Sequence, residues 1–467
     1  MGAGADLAVV GGTVVTSTGV ARADLVVSGG RIVAAGSVDA AVSRTVDAAG
    51  LHVLPGMVDS HVHLMDPGDT EREDFPTGTA AAAARGITTV IEHTHAHPVR
   101  TAEELEEKAR YLRGRSHVDH GLAAHVWPDR IDSLAETWRA GASFFKAFTC
   151  TTHGVPGLGE AELLDTFEAV ASFDGICLLH CEDEELTRGA ELDLRAAGRR
   201  DPGLLVEWRS REAELRAVSM AAELAVRTGV RATIAHVSSP PVADLVVAGR
   251  DRGARLFAEA CPQYLVLRED EVRRDGPLRK FTPPARIRRD EEEDAMWSLL
   301  ASGVLTHVAT DHAPSTRAQK LERDIWEAPF GLPGLDTTLR LLLDAVARGR
   351  LGWSDLVRRY SEQPARIYGL FPRKGGLHVG ADADLVLVDP DAEVEVRDED
   401  VISKAGWTPY AGRRIRGDVV AVFLRGEEIA RDGVARDAFR GRFLPGAGAR
   451  DMGGRRGRKG ARAGGDG

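Results

Sequence analysis

The sequence predicts an α/β fold: a (β/α)8 TIM barrel carrying a small β domain assembled from both ends of the chain. Three observations lead there. Short apolar runs alternate with helix-like stretches eight times between residues 57 and 310. Those runs are nearly continuous in apolar character, as strands buried on both faces of a parallel sheet are. The first 50 residues and residues 381–432 share a glycine-broken β texture, so one module can be built from the two ends.

In chain order, DLAVVGG, TVVTS and DLVVSGGRIVAAG open the sequence as short strand-like runs. The predicted barrel strands follow at 57–63, 87–93, 121–126, 143–148, 176–181, 232–237, 255–258 and 304–310. Between and after them come stretches of helical texture, from GTAAAAAR and TAEELEEKARYLRGR to EWRSREAELRAVSMAAELAVRTG and LDTTLRLLLDAVARG. ADLVLVDP, EVEVRD and DVVAVFLRGEEIA then restore the β texture. The expected domains are 1–54 and 376–444 for the two parts of the β module and 55–375 for the barrel. Residues 445–467 read as a disordered, basic, glycine-rich tail, because glycine and charge without periodicity cannot pack a core. A polyanion-binding arm is the functional alternative for that tail.

Composition narrows the function. A chain of 467 residues can bury roughly 75% of its unfolded surface, enough for a large core without disulfides. The net charge of −11 argues against a nucleic-acid partner, whose footprint would be basic. Cys150, Cys177, Cys181 and Cys261 show no disulfide-framework spacing, which points to a reducing compartment. The first residues lack a signal-peptide pattern, and no apolar run reaches 18 residues. The expectation is a cytoplasmic protein with no membrane partner.

The chemistry gathers at the ends of the predicted strands. His61 and His63 close the run LHVLPGMVDSHVH, and period-2 alternation puts both on one strand face, where they can chelate a metal ion. An HxH alone is weak, since chance supplies about half of one in a chain with this histidine content. GICLLH ends at His180, RATIAH at His236 and GASFFK at Lys146, and Asp311 follows LTHVAT. Strand C-terminal ends of a barrel converge on one face, so six residues from five strands point into one mouth. Singly, a strand-end histidine is more often a satisfied core or loop residue; five coincident strand ends argue for a metal site. An ammonium at Lys146 would repel cations. Carbon dioxide addition would turn it into an anionic carbamate able to bridge two metals.

LPGMVDSHVHLMDPGDTEREDFPTGTAAAAARGITTV resembles the first-strand signature of the cyclic amidohydrolases: dihydroorotases, allantoinases, and hydantoinases or dihydropyrimidinases. FFKAF, LLHCEDEEL, IAHVSS, EACPQYL, KFTPPAR, VATDHAPS, QPARIYGLFPRKGGLHVGADADLVLVDP and SKAGWTPYAGRRIRGDVV fit the same family in order, up to about Leu444. The resemblance implies a barrel flanked by a β-sandwich, with two metal ions, usually Zn2+, or another divalent cation. His61, His63 and Asp311 would hold one and His180 and His236 the second, with carboxylated Lys146 bridging both. It implies a small cyclic amide, imide or ureide whose ring is opened by metal-activated hydroxide, with Asp311 as proton shuttle. A homodimer or homotetramer is the family tendency.

The chain also departs from the family pattern. Dihydroorotases clasp a substrate carboxylate with an arginine two residues after the second histidine and an asparagine after strand 2. Here Met65 holds the first place and a histidine-rich stretch, His93, His95 and His97, replaces the second. Loss of both partners disfavours dihydroorotate. If strand 2 continues, the three histidines share one face and recognise a polar or anionic ring substituent; otherwise they form a solvated loop. Thr151 stands where hydantoinases usually carry a carbonyl-polarising tyrosine, although CPQYL and GLPGLDTT lean towards hydantoinases and DPGDTEREDF towards allantoinases. His312 is expected to contact substrate or orient a ligand, His153 to line the pocket, and Gly331 and Gly334 to offer backbone groups to the substrate amide. His117, His120 and His125 read as structural or surface residues, and the acidic run 182–185 as a solvated face. A non-catalytic scaffold of the same fold is the alternative class, weakened by the presence of every ligand position.

Overall fold

The computed structural model describes residues 5–36 and 42–449; most of the expected tail, 450–467, lies outside the described residues. The eight expected barrel strands form at Met57–Val62, Ile87–Glu92, Asp119–Leu122 with Ala124–His125, Phe145–Phe148, Ile176–His180, Arg231–Ile234, Arg255–Ala260 and His307–Val308. Each pairs in parallel with the next in chain order, except that the third is interrupted at Ala123: its first half pairs with strand 2 and its second with strand 4. The ring closes where Val62 bridges His312 and the His63 N–H donates to the His312 carbonyl at 2.8 Å.

Apolar strand residues meet inside and helices cover the outside, so Val58, Ile91, Leu122, Phe145, Leu178 and Ala258 are fully buried. The helices carry the start and stop signals that their sequences announce. Arg211–Thr228 begins with Ser210 accepting the Ala213 N–H and ends at Gly229 in the left-handed region. Phe75–Ala84 is capped by Asp74 and buries the alanine run Ala81–Ala84 against the barrel.

The two chain ends interleave in two sheets. One orders Arg31–Gly36, Asp24–Ser28, Leu7–Val10 and Thr45–Asp47. The other places His52–Pro55 between Thr13–Thr16 and Leu385–Glu395, followed by Arg414–Leu424 and Glu427–Arg431. Leu7, Val9, Leu25, Ile32, Val53, Leu385 and Phe423 form a second apolar core, separate from that of the barrel. His52–Pro55 runs straight into barrel strand 1 through Gly56, where a Cβ would lie 2.0 Å from Thr88 Oγ1.

The tail boundary needs correction. Residues 445–449 are packed: the Gly446 N–H donates to Gly141 at 2.8 Å, and a Cβ at Gly448 would meet the Trp138 carbonyl at 2.3 Å. Small residues there permit close backbone approach, which composition read as disorder.

Candidate metal centre

His61 and His63 lie at the end of strand 1 and at the residue just past it, and both are buried. His61 Nδ1 is 2.7 Å from Glu259 Oε1, and His63 Nδ1 is 2.9 Å from the His93 carbonyl. Each Nδ1 has an oxygen acceptor and therefore carries the ring proton, leaving a bare lone pair on Nε2. Those two lone pairs face one carboxylate oxygen: Asp311 Oδ1 is 3.2 Å from His61 Nε2 and 3.4 Å from His63 Nε2. Lone pairs so arranged repel unless a cation lies among them. The separations also match the ligand–ligand edge of a tetrahedral zinc site, about 3.4 Å for bonds near 2.0–2.1 Å. Burial alone would raise the Asp311 carboxyl, but the imidazoles of His61, His63 and His236 hold it below the usual carboxylate range. Asp311 reaches this position with φ +50°, directly after the truncated eighth strand.

Strands 5 and 6 supply the second half. His180 Nε2 is 2.8 Å from Glu182 Oε2, so Nδ1 is the free nitrogen, and it lies 3.0 Å from His236 Nε2. Glu182 is held at about 2: burial would raise it, but Arg209 at 3.2 Å and His180 outweigh that effect. Lys146 lies between the halves, 1% exposed, with Nζ 3.5 Å from His61 Nε2. Burial pushes its amine below the ordinary lysine value, against the attraction of Asp311 and Glu259. A neutral amine is the form that reacts with carbon dioxide. The donor set therefore fits a pair of divalent cations: four imidazoles, one carboxylate, and a lysine whose ammonium would be out of place.

Above the centre is a cavity of about 180 Å³, lined by Met65, Arg72, His95, Phe281, Phe330 and Gly331 among others. That suits one small ring better than the 300–1,000 Å³ typical of drug-sized ligands. Met65 has φ +56° and is closed over by Thr94, while the His95 ring stacks on His153 at 4.6 Å, so His153 also lines the cavity.

Four expected substrate contacts fall elsewhere. Strand 2 ends at Glu92 instead of continuing, so alternation is lost and His97 is exposed outside the lining. Thr151 is exposed on a turn, its N–H donating to Glu184 at 2.5 Å. His312 turns away from the cavity: Nδ1 accepts the Gly334 N–H at 3.0 Å and the Leu335 N–H at 3.3 Å, and Nε2 is 3.4 Å from Glu73. Gly334 is accordingly tied to His312 and is not part of the lining; Gly331 is. The acidic run is not simply a solvated face, because Glu182 is buried between His180, Arg209 and Thr282. His125 is not at the surface either, its Nε2 lying 3.3 Å from His95 Nδ1.

Reading the sequence also missed Glu259 and Arg72. Glu259 receives both the His61 ring and the His236 N–H at 3.0 Å; its only signal is a carboxylate in the otherwise apolar strand run RLFAEA. Arg72 Nε donates to the Pro314 carbonyl and the Ser315 hydroxyl, both at 3.0 Å, and Nη2 to the Phe330 carbonyl at 3.4 Å, with Asp69 at 3.9 Å.

The profile of the amidohydrolase family matches residues 52–429. An allantoinase from Rubrobacter xylanophilus is 36% identical over 446 residues, covering 94% of this chain and 97% of that protein. A dihydroorotase from Halobacterium salinarum is 37% identical over 404 residues, covering 85% and 90%. The solved structure of an L-hydantoinase (dihydropyrimidinase) from Arthrobacter aurescens superposes with a TM-score of 0.90 at 31% identity, covering 94% of this chain and all of that one.

Proposed function

The chain belongs to the amidohydrolase family and is a cyclic amidohydrolase acting on carbon–nitrogen bonds, and on that premise we propose that it opens a small cyclic amide, ureide or imide, allantoin- or hydantoin-like, at one amide bond. The observation that carries this reading is the convergence of six side chains from five strands, with His61 and His63 aiming bare Nε2 atoms at Asp311. His61, His63 and Asp311 would hold one divalent cation, zinc by the donor chemistry, and His180 and His236 the second. Lys146, carboxylated, would bridge them. Bound there, the cations would supply the Lewis acidity that makes water a nucleophile at neutral pH and polarises the scissile carbonyl.

The chain's own residues do the rest. Asp311, kept ionised by its histidine neighbours, takes the proton from the attacking water and returns it to the departing ring nitrogen. Glu259 and the His93 carbonyl fix the tautomers of His61 and His63, and Glu182 fixes that of His180. Phe281, Phe330 and Met65 wall the cavity from water, while His95 offers a nitrogen to a polar ring substituent. We read the two sheets built from both chain ends as the β-sandwich that the family resemblance implies. Four buried free cysteines accord with a cytoplasmic location, and we expect a homodimer or homotetramer.

A panel of rings tests the proposal: allantoin, 5-substituted hydantoins, dihydropyrimidines, a cyclic imide and dihydroorotate, each assayed on protein of measured metal content. Turnover of one of the first four with near two metals per chain supports it. One observation favours a ring carrying an anionic group instead: Arg72 stands in the lining. Dihydroorotate turned over fastest would establish that second reading, and protein with neither metal nor turnover would be a scaffold.

A further inference from the structure

The centre contains one more imidazole than its proposed ligands use. His93 is 1% exposed, and neither of its ring nitrogens has a hydrogen-bond partner. Two orphaned nitrogens in one buried ring carry a desolvation penalty, so the arrangement calls for a reason. The ring does not sit among apolar neighbours alone. Its centroid is 4.6 Å from that of His61 and 4.5 Å from that of His63, and one ring nitrogen of each of the three lies within 4.8 Å of the others. Phe144 lies edge-on to the ring at 5.3 Å, and His125 and His95 lie further off at 5.8 and 6.2 Å.

The backbone explains why the ring stays there. The His93 N–H donates to Val62 at 3.1 Å, and the His93 carbonyl receives the His63 ring. The main chain of the residue is thus tied to the end of strand 1 at both its N–H and its carbonyl, which sets the ring beside His61 and His63.

Resting on the metal-centre reading above, we propose that His93 is a third imidazole donor to the cation held by His61 and His63. An added neutral nitrogen biases that position towards zinc, cobalt or nickel over magnesium or manganese, which prefer oxygen. It also makes the first cation the more firmly held of the pair.

The test is metal retention, read independently of turnover. Protein loaded with zinc is dialysed against graded dipicolinate and its metal counted. The His93→Gly variant, which leaves a ring-sized hole, is expected to lose at least one ion per chain at a tenfold lower chelator concentration. Free imidazole in the buffer restores retention. Pyrrole, a ring of the same shape without an available lone pair, does not. Unchanged retention in His93→Gly, or equal rescue by both rings, overturns the proposal and leaves His93 a packing residue. Should the variant not fold, cobalt-loaded wild-type protein decides: five hyperfine-shifted exchangeable ring N–H protons support a fifth imidazole ligand, and four overturn it. Wild-type protein that binds no metal would overturn the metal centre itself, whereas two ions held equally well with and without His93 would overturn this inference alone.

Discussion

At the scale of single residues, the site depends on which nitrogen of each ring carries the proton. Asp311 is the group whose replacement separates proton transfer from metal binding most cleanly, since asparagine keeps an oxygen donor and loses the base. Asp311→Asn is expected to lower kcat by about 10²–10⁴-fold with KM within a few-fold, measured at saturating zinc with metal content checked. Lys146 calls for a direct observation of its modification. Protein prepared in 13C-bicarbonate is expected to show a carbamate carbonyl resonance that Lys146→Arg abolishes; a spectrum without it would leave the bridge unfounded. The proposed ligands are legible in the sequence because each ends or follows an apolar run, a position that barrel geometry turns into a shared mouth. Glu259 and Glu182 are not. Their burial rests on partners distant in the chain, His61 for Glu259 and Arg209 with Thr282 for Glu182, and no local pattern encodes that, although Glu182 also meets His180 two residues before it. His97 was misplaced for a related reason: alternation predicts a face only while the strand lasts, and this strand stops at Glu92.

At the scale of elements, the strands were the most readable feature and their ends the least. Strand 3 breaks at Ala123, where its pairing passes from strand 2 to strand 4, and strand 8 shrinks to His307–Val308, with the closing bridge to Val62 made beyond it by His312. The loop carrying Phe330 and Gly331 to the cavity was even less visible, since buried lysines hold it. Lys320 Nζ donates to the carbonyls of Lys280, Pro329 and Gly331 at 2.7–3.0 Å, and Lys280 Nζ to those of Ile325 and Trp326 at 2.6 and 3.0 Å. Lys320→Met leaves buried carbonyls short of donors, at about 1–3 kcal/mol each. Its expected signature is a KM raised several-fold with kcat changed less, because the lining moves while the metal ligands do not. Lys280 gives a pH signature. Burial first, then Arg209 and Arg195, pull it down to about 7 from the 10.5 of an ordinary lysine. Between those values the unfolded chain binds more protons than the native one, so this group makes stability rise with pH from about 7 to 10.5 and costs most below 7. The melting temperature of Lys280→Met is expected to lack that rise when the two proteins are compared across the window.

At the scale of the whole molecule, barrel and two-sheet module are joined through a buried knot of charge. Lys374 Nζ lies 2.6 Å from Asp119 at the start of barrel strand 3, 2.7 Å from Asp384 and 3.0 Å from Asp382. Arg425, just past the module strand Arg414–Leu424, reaches Asp119 at 2.5 Å, and Arg373 reaches Asp382 at 2.8 Å. Three carboxylates thus face three cations within 3.0 Å, and the half-exposed Arg31 lies further off, 3.9 Å from Asp382. Burial would raise the Asp119 carboxyl, but Lys374 and Arg425 hold it below its ordinary value. The stabilisation from Asp119 is therefore present above the usual aspartate pKa and lost as pH falls through its lowered one. Such a knot adds little net stability as long as it is whole, because desolvation offsets attraction, yet removing one member strands the others. Lys374→Met should therefore destabilise the protein by about 3–5 kcal/mol. Asp119→Asn in the same chain should recover part of that loss, since it removes one stranded charge, giving a coupling in a double-mutant cycle. The knot lies on the module side of the barrel, so zinc content and kcat of the protein that remains folded should match wild type. Equal melting temperatures for Lys374→Met and wild type would show that apolar packing alone, through the core of Leu7, Val53, Leu385 and Phe423 and the bidentate Arg340–Asp418 pair at 2.8 Å, fastens the two parts together.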